Sequence, residues 1–442
     1  MMLAVFVLLL ASVAAPSDTG SKSMVESGGG LLAASGIDES TAQSMNSRGF
    51  DLLKRVVDAD KNKNILISPY SIDSAFGLVI PGARGETRKE ILDALGLPSN
   101  SSEALHALDA SLTSAREAKV LTSNSVWIQQ GLELFPAYRN EIERFFSGMV
   151  RQVDFAKDPD NAANTINKYV FKKTAGMIPE IVNAESFSDA DIASVLVNTL
   201  YFKCDWAQKF DKTQTQSEEF KCSDGKIIPV EMMNSTFTVP YGENEVSRQI
   251  RLGYKDERFS MYVILPKVGK LVQDVLAGLV RCGVADFGVK MERKEIKVSI
   301  PKLDVEFERD IKEDLGKAAK GLFRDIVRGK ELFVYKVLHK TKLLADEKST
   351  EASAATAVVM MAVKCFRPQP LAFRADRPFA IVLHDSTTGL ALFAGVVGAP
   401  KETNRPPVRK YAEESGDNAI EELTRPHRPG VFSGDEFIDD DF

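Results

Sequence analysis

Three kinds of side chain in this 442-residue sequence could carry chemistry, and their spacing gives none of them a catalytic pattern. Histidine occurs at His106, His339, His384 and His427, and cysteine at Cys204, Cys222, Cys282 and Cys365. The cysteine spacings match no tetrahedral zinc site, and four thiols in so long a chain are not a disulfide framework. There is no G-x-S-x-G elbow, no H-E-x-x-H helix, no Walker loop and no G-x-G-x-x-G turn. The members of a Ser-His-Asp triad can lie far apart in sequence, so counting alone does not exclude one, but nothing marks one. Carboxylate pairs such as Glu218-Glu219 read as solvated surface. The expectation is a protein that is not an enzyme and that uses no metal or cofactor.

One segment is unusual. Residues 347–363 read EKSTEASAATAVVMMAV, without Gly or Pro. The small residues suit a helix by propensity, and nothing bulky or ring-locked keeps them out of a strand. At a period of two, Thr350, Ala352, Ala354, Thr356, Val358 and Met360 share one face, all small or apolar, while Glu351 takes the other. Such a strand could enter the middle of a sheet with the first set inward.

The elements around it read as an α+β domain, helices prevailing in the first third and strands after it. Ser40–Asp58 has helical apolar spacing, and Thr87 opens a capped helix over RKEILDALGL. Ala162–Lys173 is helical. Ser125–Gln129, Ser194–Phe202 and Ser260–Leu265 are strands, the second apolar enough to be buried on both faces. Ile296–Phe307 alternates around Pro301. Phe379–Leu383 and Leu390–Val397 flank Ser386-Thr387-Thr388-Gly389 as a hairpin.

The ends differ from the body. Met1–Ala15 is an apolar run too short to span a bilayer and ends in small residues, as a secretory signal peptide does. Residues 16–39 read as a flexible leader, 40–400 as one domain, and 401–442 as an acidic disordered tail. The net charge of −6 falls mostly on that tail, which holds six Lys/Arg and eleven Asp/Glu and leaves the rest at −1. A basic nucleic-acid surface is therefore disfavoured, and no membrane partner is expected. Secretion would make Asn100-Ser101-Ser102 and Asn234-Ser235-Thr236 candidate glycosylation sites. Cys204 with Cys222 remains open as a disulfide.

Five segments in order resemble the serpin family over roughly residues 40–400. They are NILISPYSIDSAFGLVIPGARGETRKEIL (64–92), INKYVFKKTAGMI (166–178, with Tyr169 where Trp is usual), LVNTLYFKCDWAQKF (196–210, with Cys204 for Gly), VLHKTKLLADEKSTEASAATAV (337–358) and FRADRPFAIVLHDSTTGLALFAGVVGAP (373–400). Serpins, a general example of strand addition driven by stored strain, hold a reactive-centre loop outside a large sheet. A target serine protease cuts the loop and forms an acyl-enzyme, and the loop then enters the sheet as a strand and traps it. The resemblance implies a hinge at Glu347, Ser349, Thr350, Ala352, Ala354 and Thr356, small enough to enter a sheet, with Ser349 replacing the usual Gly at some cost in backbone freedom. A non-inhibitory carrier or chaperone is the alternative.

The family spacing places the scissile bond at Val363-Lys364, which suits an elastase-like pocket. A loop one residue longer places it at Lys364-Cys365, which suits a trypsin-like pocket. Ser68, Ser71, Asn198 and His339 match the polar "shutter" beneath the sheet, and Trp206 and Thr215 match the "breach" where insertion starts. Arg116 and Lys119, flanked by acids, make a weak basic patch, so no strong glycosaminoglycan site is expected. The protein is expected to be a secreted monomer, and deletion of residues 401–442 to leave inhibition intact.

Overall fold

The computed structural model describes residues 37–60, 63–146, 150–187, 192–283, 289–347, 370–405 and 407. The signal peptide, most of the leader, the hinge beyond Glu347, both candidate scissile bonds and nearly all of the tail lie outside these residues.

The apolar spacing near the start becomes helix α1 (Glu39–Ala59), which buries Met45, Phe50, Leu52, Leu53, Val56 and Val57. The Asp38 carboxylate caps it, accepting from the Thr41 N–H at 2.7 Å. Ile37 is fully buried, so the domain reaches back into what the sequence gives to the leader. Helices α2 (Pro69–Gly77), α3 (Gly85–Leu95), α4 (Ser101–Thr113), α5 (Pro136–Phe146), α6 (Pro159–Lys173) and α7 (Val272–Cys282) complete the α-helices of the described residues. Helix α3 starts before the expected Thr87, with Arg84 at its N-cap making no side-chain capping bond. It ends where Gly96 turns left-handed at φ 69°.

In chain order the strands are β1 (Ile65–Ile67), β2 (Lys119–Gln129), β3 (Val150–Val153), β4 (Ser194–Lys203), β5 (Gln216–Lys221) and β6 (Ile227–Glu243). Then come β7 (Ser247–Gly253), β8 (Phe259–Pro266), β9 (Glu292–Pro301), β10 (Leu303–Asp310), β11 (Leu322–Phe323) and β12 (Leu332–Phe333). The last are β13 (Lys336–Ala345), β14 (Leu371–Arg374), β15 (Phe379–Asp385) and β16 (Leu390–Val397). One sheet runs β10-β13-β4-β2-β3. The larger runs β1-β16-β15-β8-β7-β6-β9-β14, with β5 on β6.

The alternation over Ile296–Phe307 proves to be two strands in two sheets. Pro301 closes β9 in the large sheet and Leu303 opens β10 at the edge of the smaller one, so Lys302 sits where the chain crosses. Strands β8 and β16 are buried at every position, and β15 and β16 form the expected hairpin. Helix α6 covers one face of the five-stranded sheet through its own apolar cluster, in which Ile166 and Val170 meet Trp127, Val195 and Val197. Tyr169 packs edge-on against Trp127 at 5.6 Å between centroids.

Candidate functional site

Every residue of β4 except Lys203 is buried, as its apolar composition requires. It lies beside β13 in parallel, from Lys336 opposite Val195 to Leu343 opposite Phe202. The two meet in the interior of the sheet with no strand between them. The chain leaves β13 at Ala345, and Glu347 is the last described residue before the expected loop. A strand that reverses direction there would run antiparallel to both neighbours. It would exchange one parallel ladder for two antiparallel ones, whose hydrogen bonds are straighter.

Beneath this seam a polar network crosses three strands. Asn198 on β4 stands opposite His339 on β13 and Asn124 on β2. Asn198 Nδ2 donates to Asn124 Oδ1 at 2.7 Å and to the Ser71 carbonyl. Asn198 Oδ1 accepts from Ser71 Oγ at 2.8 Å and pairs with His339 Nδ1. Ser68 N–H donates to His339 Nε2 at 3.2 Å, and Ser68 Oγ caps α2 by accepting from Ser71 N–H at 3.1 Å. Thr341 Oγ1 donates to the Leu66 carbonyl at 2.7 Å. The structure thus brings together Ser68, Ser71, Asn198 and His339, and adds Asn124 and Thr341, all buried.

Burial holds His339 neutral, lowering its pKa to about 3. Between pH 3 and the unfolded value near 6.5 the unfolded chain therefore binds one more proton than the folded one. The stability this histidine contributes is complete above pH 6.5 and declines as pH falls through that window, by up to about 1.4 kcal/mol per pH unit. A His339→Gln variant is expected to lose thermal stability less steeply between pH 7 and pH 5 than the parent protein, as melting midpoints would show.

At the end of β13 the chain is held from both sides. Trp206 Nε1 donates to the Asp346 carbonyl at 2.9 Å, its indole stacked on Tyr254 at 4.5 Å. Thr215 Oγ1 donates to Glu347 Oε1 at 2.6 Å. Lys302 Nζ lies 3.2 Å from the same oxygen and 2.6 Å from Glu231 Oε2. Burial pushes the Glu347 carboxyl up, but the Thr215 hydroxyl and the Lys302 ammonium outweigh it and leave its pKa below the usual value. Trp206 and Thr215 therefore fix the root of the expected hinge, and Lys302, which sequence reasoning missed, completes the clasp. Ser349, Thr350, Ala352, Ala354 and Thr356 lie beyond the described residues, as do Val363, Lys364 and Cys365.

The opposite face of the seam is tied down by β13 itself. Lys336 Nζ donates to the Ser186 carbonyl at 2.6 Å and Lys340 Nζ to the Glu180 carbonyl at 2.8 Å. Both carbonyls belong to the segment that follows α6 across the sheet. Separating β13 from β4 requires that segment to yield.

One expectation changes and one open question closes. Asn234 lies buried within β6, where its Nδ2 donates to Glu218 Oε1, Gln214 O and Met232 O at 3.0–3.1 Å while its Oδ1 accepts from Ser299 Oγ at 2.6 Å. The nitrogen a glycan would occupy is enclosed, so Asn234 is not a glycosylation site of this fold. Asn100 is exposed at the start of α4 and makes no capping bond. Expressed through a secretory pathway, the protein is expected to lose glycan mass on Asn100→Gln. Asn234→Ala is expected to remove no glycan but to destabilise the fold by about 2 kcal/mol, because its partners stay buried. The open question was Cys204 and Cys222, which are buried and not joined to each other by a disulfide. Arg116 and Lys119 lie beyond the end of α4, with Glu117 bound to Lys255 at 2.7 Å. Among the described residues no group of acids, histidines and cysteines could hold a metal ion, and no helix is long and apolar enough to cross a membrane.

The chain is similar to known proteins in sequence and in fold. A sequence profile of the serpin (serine protease inhibitor) family matches residues 43–400. A serpin-like protein of Thermococcus kodakarensis is 33% identical over 379 residues, 83% of this chain and 87% of its own. The native structure of protease nexin-1 with heparin superposes at a TM-score of 0.73, with 25% identity over 81% of this chain and 99% of that one. The Arabidopsis serpin AtSerpin1, in its native stressed conformation, superposes at 0.72, with 26% identity over 81% of this chain and 98% of that one. A match along the whole described domain, joined to a five-stranded sheet whose interior parallel pair is clasped at the root of a loop, establishes that this chain belongs to the serpin family.

Proposed function

We propose that the protein is a secreted suicide inhibitor of serine proteases, cut in the loop beyond Glu347 and trapping the acyl-enzyme by inserting that loop between β13 and β4. The family is in general one of protease inhibitors rather than enzymes, which supports the class. The parallel pairing of β13 with β4 supports the mechanism most directly, because it leaves an interior place for a strand arriving from Glu347. Small residues at Ala352, Ala354 and Ala355 suit entry into a sheet, whereas a carrier has no need of so unhindered a segment. Met1–Ala15 supports export.

Incubation with an elastase and with trypsin, followed by a denaturing gel, tests this reading. A covalent band at the summed mass supports inhibition. The mass of the released C-terminal peptide assigns the bond to Val363-Lys364 or Lys364-Cys365. Cleavage with no complex, and with no gain in thermal stability of the cut protein, would favour the carrier or chaperone instead.

A further inference from the structure

The extension after Pro400 lies beyond the family match, yet its first residues are seated on the body. Thr403 N–H donates to the Pro229 carbonyl at 2.9 Å, and Ser217 Oγ donates to the Arg405 carbonyl at 2.7 Å. Lys401 Nζ stands 3.6 Å from Asp304 Oδ2, Glu402 Oε2 3.8 Å from Lys226 Nζ, and Arg405 Nη1 3.5 Å from Glu231 Oε1. Ser217, Pro229 and Glu231 belong to β5 and β6 of the large sheet, and Asp304 belongs to β10 of the small one. The extension therefore bridges the two sheets at the end where β13 stops. A cavity of about 570 Å³ lies beneath it, floored by Leu303, Leu344 and Ala345. A run of alternating charge, Arg405–Glu231–Lys302–Glu347, leads from the extension to the root of the loop.

We propose that Lys401–Arg405 is a strap that restrains opening of the five-stranded sheet, and that Arg405 and Glu231 are positioning residues that act on Glu347 through Lys302. A strand entering between β13 and β4 must part them, and β10 moves with β13 because the two are paired along their length. The strap joins β10 to β5 and β6 and so opposes that movement. Glu347 must also leave Thr215 and Lys302, and Arg405 helps to hold Glu231 where it fixes the Lys302 ammonium. The Lys401 and Arg405 side chains are 77% and 76% exposed, so each ion pair is weak and sensitive to salt. The two hydrogen bonds fix the backbone that presents them. The strap is a moderate brake, not a lock.

The proposal shares the inserting sheet with the inhibitory reading, but its test needs no protease. A synthetic peptide of residues 349–358 is offered to the full chain, to a chain ending at Pro407, to one ending at Pro400, and to the full chain carrying Lys401→Ala with Arg405→Ala. Uptake is followed on native gels. The first two are expected to take up the peptide at the same rate, the Pro400-ended chain roughly tenfold faster, and the double variant between them. Salt at 1 M should bring the full chain toward the double variant. Hydrogen exchange without peptide reads the strap independently. The Lys302 N–H, bonded to the Glu231 carbonyl at 2.9 Å, and the end of β13 are expected to exchange faster once the strap is removed or neutralised. Equal exchange and equal uptake in all four proteins overturns the proposal. Should the Pro400-ended chain not fold, the same equality between the double variant and the full chain overturns it. Faster exchange with no peptide uptake by any form would uphold the strap while contradicting insertion.

Discussion

A Thr350→Arg variant is expected to be cut by the target protease as readily as the parent protein but to release it rather than hold it. Thr350 is the first hinge residue on the face that turns inward, three residues beyond the clasped Glu347. The proposed insertion would begin there, next to the end where Trp206 and Thr215 hold the chain. A threonine enters a sheet interior at little cost, whereas a guanidinium without a partner costs several kcal/mol. Trapping is a race between insertion and hydrolysis of the acyl-enzyme. An added barrier of about 3 kcal/mol slows insertion by roughly two orders of magnitude, which hands the race to hydrolysis. On a denaturing gel the covalent band should give way to cut protein, and the cut protein should show little of the stability that insertion confers. Native-state stability should be unchanged, since β13 and β4 pair directly with no strand between them.

The second large effect concerns the network beneath the seam. Asn198→Ala removes at once the partners of Asn124 Oδ1 and His339 Nδ1 and one of the two partners of Ser71 Oγ, which keeps the Ser68 carbonyl at 3.4 Å, in a place water does not reach. Each buried polar group left unpaired costs about 1–3 kcal/mol, so a loss of roughly 3–5 kcal/mol is expected. It should appear as a drop of several degrees in the native melting midpoint. A conservative Asn198→Asp change should not rescue it. A carboxylate cannot donate to Asn124 or to the Ser71 carbonyl, and burial disfavours its charged form.

Much of this was legible in the chain because the informative segments are local. Ser194–Phe202 shows its double burial in composition alone, and the motifs around Ser68, Asn198, Trp206 and His339 each name positions on different elements that the fold then joins. What was not legible depends on register and tertiary approach. Asn124 and Thr341 look like ordinary polar residues within strands until the pairing of β2, β4 and β13 sets Asn124 opposite Asn198 and sends the Thr341 hydroxyl to Leu66. Lys302 follows a proline in an alternating run, and nothing local shows that the chain changes sheets there. Asn234 carries a complete glycosylation triplet because three adjacent residues define it, whereas the burial that forbids a glycan is supplied by Glu218, Met232 and Ser299. Composition placed residues 401–442 together as an acidic tail. The seating of Thr403 and Arg405 depends instead on a backbone bond to Pro229 and a bond from the Ser217 hydroxyl, which composition does not encode.

Inhibition by insertion requires that the segment after Glu347 become a strand between β13 and β4 once the loop is cut. Hydrogen exchange on intact and loop-cleaved protein measures this directly, followed in peptides covering Val195–Phe202, Lys336–Ala345 and residues 348–358. Residues 348–358 are expected to become strongly protected after cleavage, both flanking strands to gain protection with them, and the melting midpoint to rise. Unchanged exchange in residues 348–358 after cleavage, with β4 and β13 protected no more than in the intact protein, would contradict insertion.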